Sequence, residues 1–272
     1  MKLFNASITG LFDLLFWPFS FLGPIWSLVV FSLLAGILML WIFGLVSDQD
    51  SIRVVRDRVR GNLIAIRLFG DDLGLLFRLQ GRLLRDNAIF LRYAMLPLLI
   101  MIVPVLLIIA QLNLRYSARP LEPGETATVM VSVTDPSIIE RGVVLEAPDG
   151  VSVETLGVRI PQQREVAWRI RAERAGEYQL VVRAGGVAVE KQLRVGQAWG
   201  KTSSLRASGL GNLLLYPGEP PIEQSQIVEA IEITYRQLEL RIFGWSVDWL
   251  VLFFVLSIAS GFAFRKVLGV EI

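Results

Sequence analysis

The chain contains no cysteine and no histidine. That removes disulfides, thiolate nucleophiles, Cys/His zinc sites and Ser-His-Asp triads together. Any domain outside the cytoplasm is therefore not disulfide-stapled. Charge is also missing from three blocks. Residues 24–46 (PIWSLVVFSLLAGILMLWIFGLV), 94–114 (AMLPLLIMIVPVLLIIAQLNL) and 249–264 (WLVLFFVLSIASGFAF) hold no Asp, Glu, Lys or Arg. What is present in excess is apolar surface: 53% of the 272 residues are hydrophobic. That excess sits in a few blocks, which is the pattern of a membrane protein. The formal charge of +2 is too small to imply nucleic acid by itself.

The first two runs exceed the length a bilayer core requires, about 18–20 apolar residues. The third is shorter. Trp245 and Trp249 precede it, and Arg265 and Lys266 follow it, so it reads as a span over 245–264 with anchors at both interfaces. Trp17, Trp26 and Trp41 are the matching anchors nearer the N-terminus. Charge gives the orientation. The segment 47–93 holds nine arginines against six aspartates, and the tail 265–272 opens with Arg265-Lys266. The positive-inside rule places both in the cytoplasm and leaves the N-terminus and 115–244 outside, in a plasma (inner) membrane.

Residues 1–23 precede the first span. Phe4, Ile8, Leu11, Phe12, Leu15 and Phe19 share a helical face, with Asn5, Thr9 and Asp13 elsewhere. This predicts an amphipathic helix in the interface, broken at Trp17-Pro18. A cleaved signal peptide fits less well, because the apolar stretch is too long and Lys2 is its only basic residue.

The arginine-rich segment reads as a helical hairpin. Ile52, Val55, Val59, Leu63 and Ile66 make one heptad-like seam, and Leu76, Leu79, Leu83 and Phe90 make another. Between them, Gly70 suits a C-cap and Asp71 or Asp72 an N-cap. The second helix is expected to run on into the second span near Tyr93. Arg53, Arg56, Arg60 and Arg67 form a stripe beside the first seam; Arg78, Arg82, Arg85 and Arg92 form one opposite the second. Three readings of these stripes stand open: a topology signal, contact with anionic lipid headgroups, or contact with a ribosome or other acidic partner. Aromatic residues are not interleaved for base stacking, so sequence-specific nucleic-acid binding is not expected.

From about Ser117 to Gly196 the period becomes two. TATVMVSV, EVAWRIRA, EYQLVVRA and VAVEKQLRV alternate apolar and polar residues between Gly- and Pro-rich turns. Six or seven short strands are expected in a small antiparallel sandwich, with Trp168 and Tyr178 in its core. Residues 201–227 read as loop, and the stretch after them as a further strand or a stalk into the third span. The expected fold class is a multi-pass α-helical membrane protein with three transmembrane helices, a cytoplasmic helical hairpin and an extracytoplasmic all-β, immunoglobulin-like sandwich.

The segments LFDLLFWPFSFLGPIWSLVVFSLL and SIRVVRDRVRGNLIAIRLFGDDLGLLFRLQGRLLRDN, in this order, resemble the core of the YidC/Oxa/Alb insertase superfamily. There too an interfacial helix precedes the first core span, and a charged cytoplasmic hairpin joins the first two. The chain also looks like a group of uncharacterised bacterial membrane proteins with a similar hairpin. The resemblance covers about 140 residues. It implies a membrane-protein biogenesis factor without a cofactor, with nascent membrane proteins or the ribosome as partners. This chain differs from that pattern in having no charge within any span, in the absence of the basic C-terminal tail of some members, with eight residues after Phe264, and in a folded domain between the second and third spans. The alternative is a non-enzymatic scaffold whose sandwich binds another membrane or periplasmic protein. No catalytic, cofactor-binding or metal-binding residues are expected, and the chain is not expected to be an enzyme.

Overall fold

The computed structural model describes residues 2–68, 73–196, 199–223, 227–242 and 244–270. In chain order, α1 is Lys2–Phe16, followed by a 3-10 turn at Trp17–Leu22, α2 (Gly23–Val46), α3 (Gln49–Leu68) and α4 (Leu73–Tyr116). Then come β1 (Thr126–Val133), α5 (Pro136–Arg141), β2 (Val143–Glu146), β3 (Val151–Val153), β4 (Val158–Ile160), β5 (Glu165–Ala172), β6 (Gly176–Ala184) and β7 (Val187–Val195). The chain ends with β8 (Leu205–Ala207), α6 (Leu210–Leu215), β9 (Val228–Ile233), β10 (Leu240–Ile242), β11 (Trp245–Val247) and α7 (Trp249–Phe264). Two compact units result: residues 1–27 with 106–249, and residues 28–105 with 250–272.

The helical unit holds most of α2, α3, most of α4, and α7. Two helices are long and apolar enough to cross a membrane: α2, and the Gln80–Tyr116 part of α4. α2 is apolar all round, as a helix surrounded by lipid or protein must be. α4 is one helix of 44 residues and carries Pro97 and Pro104 inside it. It passes Tyr93 without a break. α7, at 16 residues, is apolar but shorter. The predicted third span began at Trp245, but Trp245–Val247 instead pair as a strand with Leu240–Ile242, so the helix starts at Trp249. Gly244, at φ 86°, turns the chain between those two strands.

α2 and α7 cross closely. A Cβ on Gly36 would collide with the backbone oxygen of Ser257, and one on Gly44 would come within 2.7 Å of Val270 Cγ2. Ser260, 3% exposed, donates its hydroxyl to the Leu33 carbonyl at 2.9 Å. Small residues at a crossing let backbones approach and gain dispersion contact, which matters most where no water is displaced.

Besides the β10–β11 hairpin, the described residues of the β unit form two antiparallel sheets. One has the order β3-β5-β1-β9-β8, with β4 also paired to β5; the other is β2-β6-β7. Their alternating apolar positions share one core, including Val129, Val131, Trp168, Ile170, Leu180, Val182, Leu193 and Ile231. Trp168 lies opposite Val129 in register and is buried. Tyr178 is at the rim, half-buried, donating to the Arg174 carbonyl at 2.8 Å. The β6–β7 turn uses Gly185 and Gly186 at φ 54° and 84°, the pair of left-handed residues a two-residue hairpin loop requires. The segment 201–227, expected to be loop, contains β8 and α6. Its short apolar run LLL is too brief to show a helical period.

Candidate interaction site at the helix–sheet junction

α1 places Thr9 and Asp13 four residues apart, and Phe16 a turn further, on one face. The last turns of α4 do the same with Gln111 and Arg115. The two rows interlock. Gln111 Nε2 donates to Thr9 Oγ1 at 3.1 Å, and Arg115 Nη2 donates to Asp13 Oδ1 at 2.5 Å. Arg115 is only 3% exposed. Its Nη1 donates to the Gln111 carbonyl at 2.9 Å and to Gln111 Oε1 at 3.0 Å, and its guanidinium lies 4.5 Å from the Phe16 ring centroid. A buried charge persists only when its donors are met in this way.

The β unit closes the same cluster. Lys201 Nζ donates to Asp13 Oδ2 at 2.7 Å, so one carboxylate bridges two cations. Trp199 Nε1 donates to the Arg115 carbonyl at 2.8 Å. The Trp199 ring lies 5.2 Å from Tyr116, and Phe16 packs against both. Tyr116, fully buried, donates to Ser27 Oγ at 2.8 Å. Its contacts weld two helix ends to the loop that follows β7.

A second knot lies just beyond α4. Arg119 reaches Glu125 with both terminal nitrogens, at 2.9 and 2.7 Å, and Arg236 Nη1 is 3.3 Å from the same carboxylate. The forked Arg119 contact, with the Glu122 N–H, holds the Glu125 carboxyl down at about 2.

Inside the sandwich, Lys191 takes an inward position of β7, level with Leu180. It is fully buried with Glu219, to which it is hydrogen-bonded, and it donates to the Ser203 carbonyl at 2.6 Å. Burial pulls its pKa down, and the Glu219 charge opposes that pull. β7 is an edge strand, and this neighbourhood seals its edge. Gln192 N–H goes to Glu219 Oε2 (2.9 Å), Arg194 N–H to Tyr235 Oη (3.2 Å), and the Arg194 carbonyl accepts from Leu121 N–H (3.2 Å). Arg206 covers the Glu190 carbonyl. A cleft of about 880 Å³ borders this edge, lined in part by Thr9, Glu177, Gln192, Arg194, Lys201 and Tyr235.

The residues singled out from the sequence lie elsewhere. Arg53, Arg60, Arg82 and Arg85 are exposed on α3 and α4, and Arg56 is half-buried, 3.8 Å from Asp57. The side chains of Arg67 and Arg78, and the turn residues Gly70, Asp71 and Asp72, lie outside the described residues. Trp17, Trp26, Trp41 and Trp245 are exposed at 75%, 65%, 52% and 79%, whereas Trp249 is buried. Arg265 and Lys266 are exposed just past α7. Asp86, unremarked in the sequence, is buried on α4 at the position where the Leu83–Phe90 seam skips a beat. Asp13, Arg115, Lys201 and Trp199 went unselected because each is an ordinary polar or aromatic residue until the fold brings them together.

No family model matches the chain, and no curated protein matches it. Two solved structures are similar in part. One is the S-layer protein SbsC domains 4 and 5, at 19% identity over 30% of this chain and 48% of that one, with a TM-score of 0.23. The other is a longer piece of SbsC, at 14% identity over 48% of this chain and 22% of that one, with the same TM-score. The chain thus spans about half, or less, of the structures it resembles, and likeness at this level says nothing about its fold or function.

Proposed function

We propose that this is a multi-pass membrane protein that works without chemistry, as a scaffold: its apolar helices anchor a β-sandwich on the outer face of the membrane, where the sandwich docks another membrane or periplasmic protein. α2, α4 and α7 are the three spans, the α3–α4 hairpin and the tail are cytoplasmic, and 115–244 are outside, as the arginine distribution favours. The observation that carries the reading is the Asp13–Arg115–Lys201 cluster. Within the β unit it joins the 199–201 segment to the end of α4 and to α1 through the buried Arg115 charge and three packed rings, rather than through a free linker. A docking platform needs that fixity, because flexible presentation spends binding energy on ordering.

A second reading, the insertase-like biogenesis factor implied by the family resemblance, draws support from α4. Met95, Leu96, Leu98, Leu99, Ile102 and Val103 are exposed along it, so the chain's own helices leave an apolar face that a hydrophobic client segment could occupy. Photo-crosslinkers in the cleft-lining strands (Gln179, Gln192) and on α4 (Leu99, Ile102) separate the two. The scaffold reading predicts discrete adducts to a mature protein from the sandwich positions. Adducts only to nascent membrane chains, and only from α4, would replace it with the insertase reading.

A further inference from the structure

We infer that α6 is a second membrane-seated element, entering the outer leaflet beside the end of α4, so that the β unit rests on lipid at two points. The inference rests on the membrane reading above.

The six residues of α6, LGNLLL, hold four leucines and no charge. Leu215, the leucine of α6 whose side chain is described, is not part of the shared core of the two sheets. Leu215, Tyr216, Pro217 and Gly218 instead line a small cavity together with Ala110, Asn113 and Leu114 of α4. The approach is close. A Cβ on Gly218 would come within 2.7 Å of Leu114 Cδ1, and Thr202 N–H donates to the Leu114 carbonyl at 2.8 Å. Ala110 lies five residues inside Arg115, the first charge after the 94–114 run, which is roughly 7 Å along the helix axis at 1.5 Å per residue. A neighbour at that level lies below the charged boundary of the span. Yet Leu215 is still 43% exposed.

The polar groups of α6 are consistent with such a place. Asn212, its one polar side chain, donates Nδ2 to the Ser208 carbonyl at 2.8 Å, and the Tyr216 N–H caps the Asn212 carbonyl at 2.8 Å. Internal satisfaction of this kind is what an apolar solvent demands. α1, welded to the same end of α4, presents Leu11 and Leu14 outward at 56% and 68% exposure, and Trp17 in the 3-10 turn after it is 75% exposed. Leu11 and Leu14 of α1 and Leu215 of α6, fixed around one helix end where a span leaves the bilayer, fit the headgroup–acyl boundary of a lipid surface. They fit a water-facing surface poorly, since contiguous exposed apolar area there is uncommon.

The absence of native cysteine gives a direct test. Single-cysteine full-length chains, Leu215→Cys, Val103→Cys and Leu156→Cys, are labelled with an environment-sensitive fluorophore and reconstituted into phosphatidylcholine/phosphatidylglycerol vesicles. Acyl-chain nitroxide lipid and aqueous iodide serve as quenchers. Gly211→Cys is the second α6 variant, because an added Cβ there meets nothing within 4 Å. Label at 215 and 211 is expected to emit blue-shifted light, respond to the lipid quencher and lose its iodide response, like label at 103. Label at 156, on a side chain 93% exposed in the β unit, is expected to follow iodide. If 215 and 211 follow 156 while 103 stays in lipid, the seating of α6 is wrong and the membrane reading stands. If 103 also follows iodide, the membrane reading fails, and this inference with it.

Discussion

Lys191 shows how much a single inward residue constrains its neighbours. Its ammonium has exchanged water for Glu219 and the Ser203 carbonyl, and the same carboxylate covers the Gln192 N–H. Removing one partner strands the other charge in the core. Lys191→Met is therefore expected to destabilise the chain by about 3–5 kcal/mol. Lys191→Met with Glu219→Gln is expected to recover most of that loss, since Gln keeps an acceptor for the strand edge; urea titration of the full chain followed by tryptophan fluorescence reads both. The sequence carried the signal. In VAVEKQLRV, Lys191 has the parity of Val189, Leu193 and Val195, all of which are buried. Its partner, 28 positions away, had no such mark. Glu125 gives a pH signature. Its folded value of about 2 lies below the ordinary 4.5, chiefly through the Arg119 fork. Its stabilisation is complete above about 4.5 and is lost as pH falls toward 2. Glu125→Gln should flatten that part of the acid unfolding profile, and an unchanged profile would remove Glu125 from the account.

At the level of elements, strong periodicity was legible and chemistry spread across elements was not. The strands TATVMVSV, EVAWRIRA, EYQLVVRA and VAVEKQLRV are β1, β5, β6 and β7 nearly to the residue, because alternation writes a half-buried strand directly into the chain. α5, β8 and α6 were not foreseen: six-, three- and six-residue elements complete too little of any period. The start of α7 was misplaced because Trp245 reads equally well as an interface anchor and as a strand residue. The α2–α7 crossing predicts a contrast between two helical glycines. Gly36→Ala drives a methyl into the Ser257 carbonyl, whereas Gly61→Ala enters open space. The first should lower the thermal midpoint of the full chain in detergent, and the second should hold or raise it, by up to about 1 kcal/mol in helix propensity. The α1–α4 weld predicts that Thr9→Cys and Gln111→Cys are joined by a short bis-methanethiosulfonate crosslinker, which replaces the reach of the lost glutamine side chain, and that adding Asp13→Ala greatly reduces the yield on a non-reducing gel. Equal yields would mean that Arg115 is held without Asp13.

Over the whole molecule, composition and charge placement speak to environment more than to activity. Three uncharged runs and an arginine-rich segment between the first two were visible at once, and the helices that form there include two long and apolar enough to cross a membrane. The identity of a partner was not legible, because the cleft proposed for docking joins residues far apart in the chain, among them Thr9, Gln192 and Tyr235. The scaffold proposal depends on the sandwich and the hairpin facing opposite sides of the membrane. Two single-cysteine chains test that most directly: Leu156→Cys on the sandwich and Arg60→Cys on α3, both at exposed positions, expressed in intact cells and treated with a membrane-impermeant maleimide. The account predicts labelling at 156 before lysis and at 60 only after it. Labelling at 60 in intact cells, or protection at 156, would contradict it.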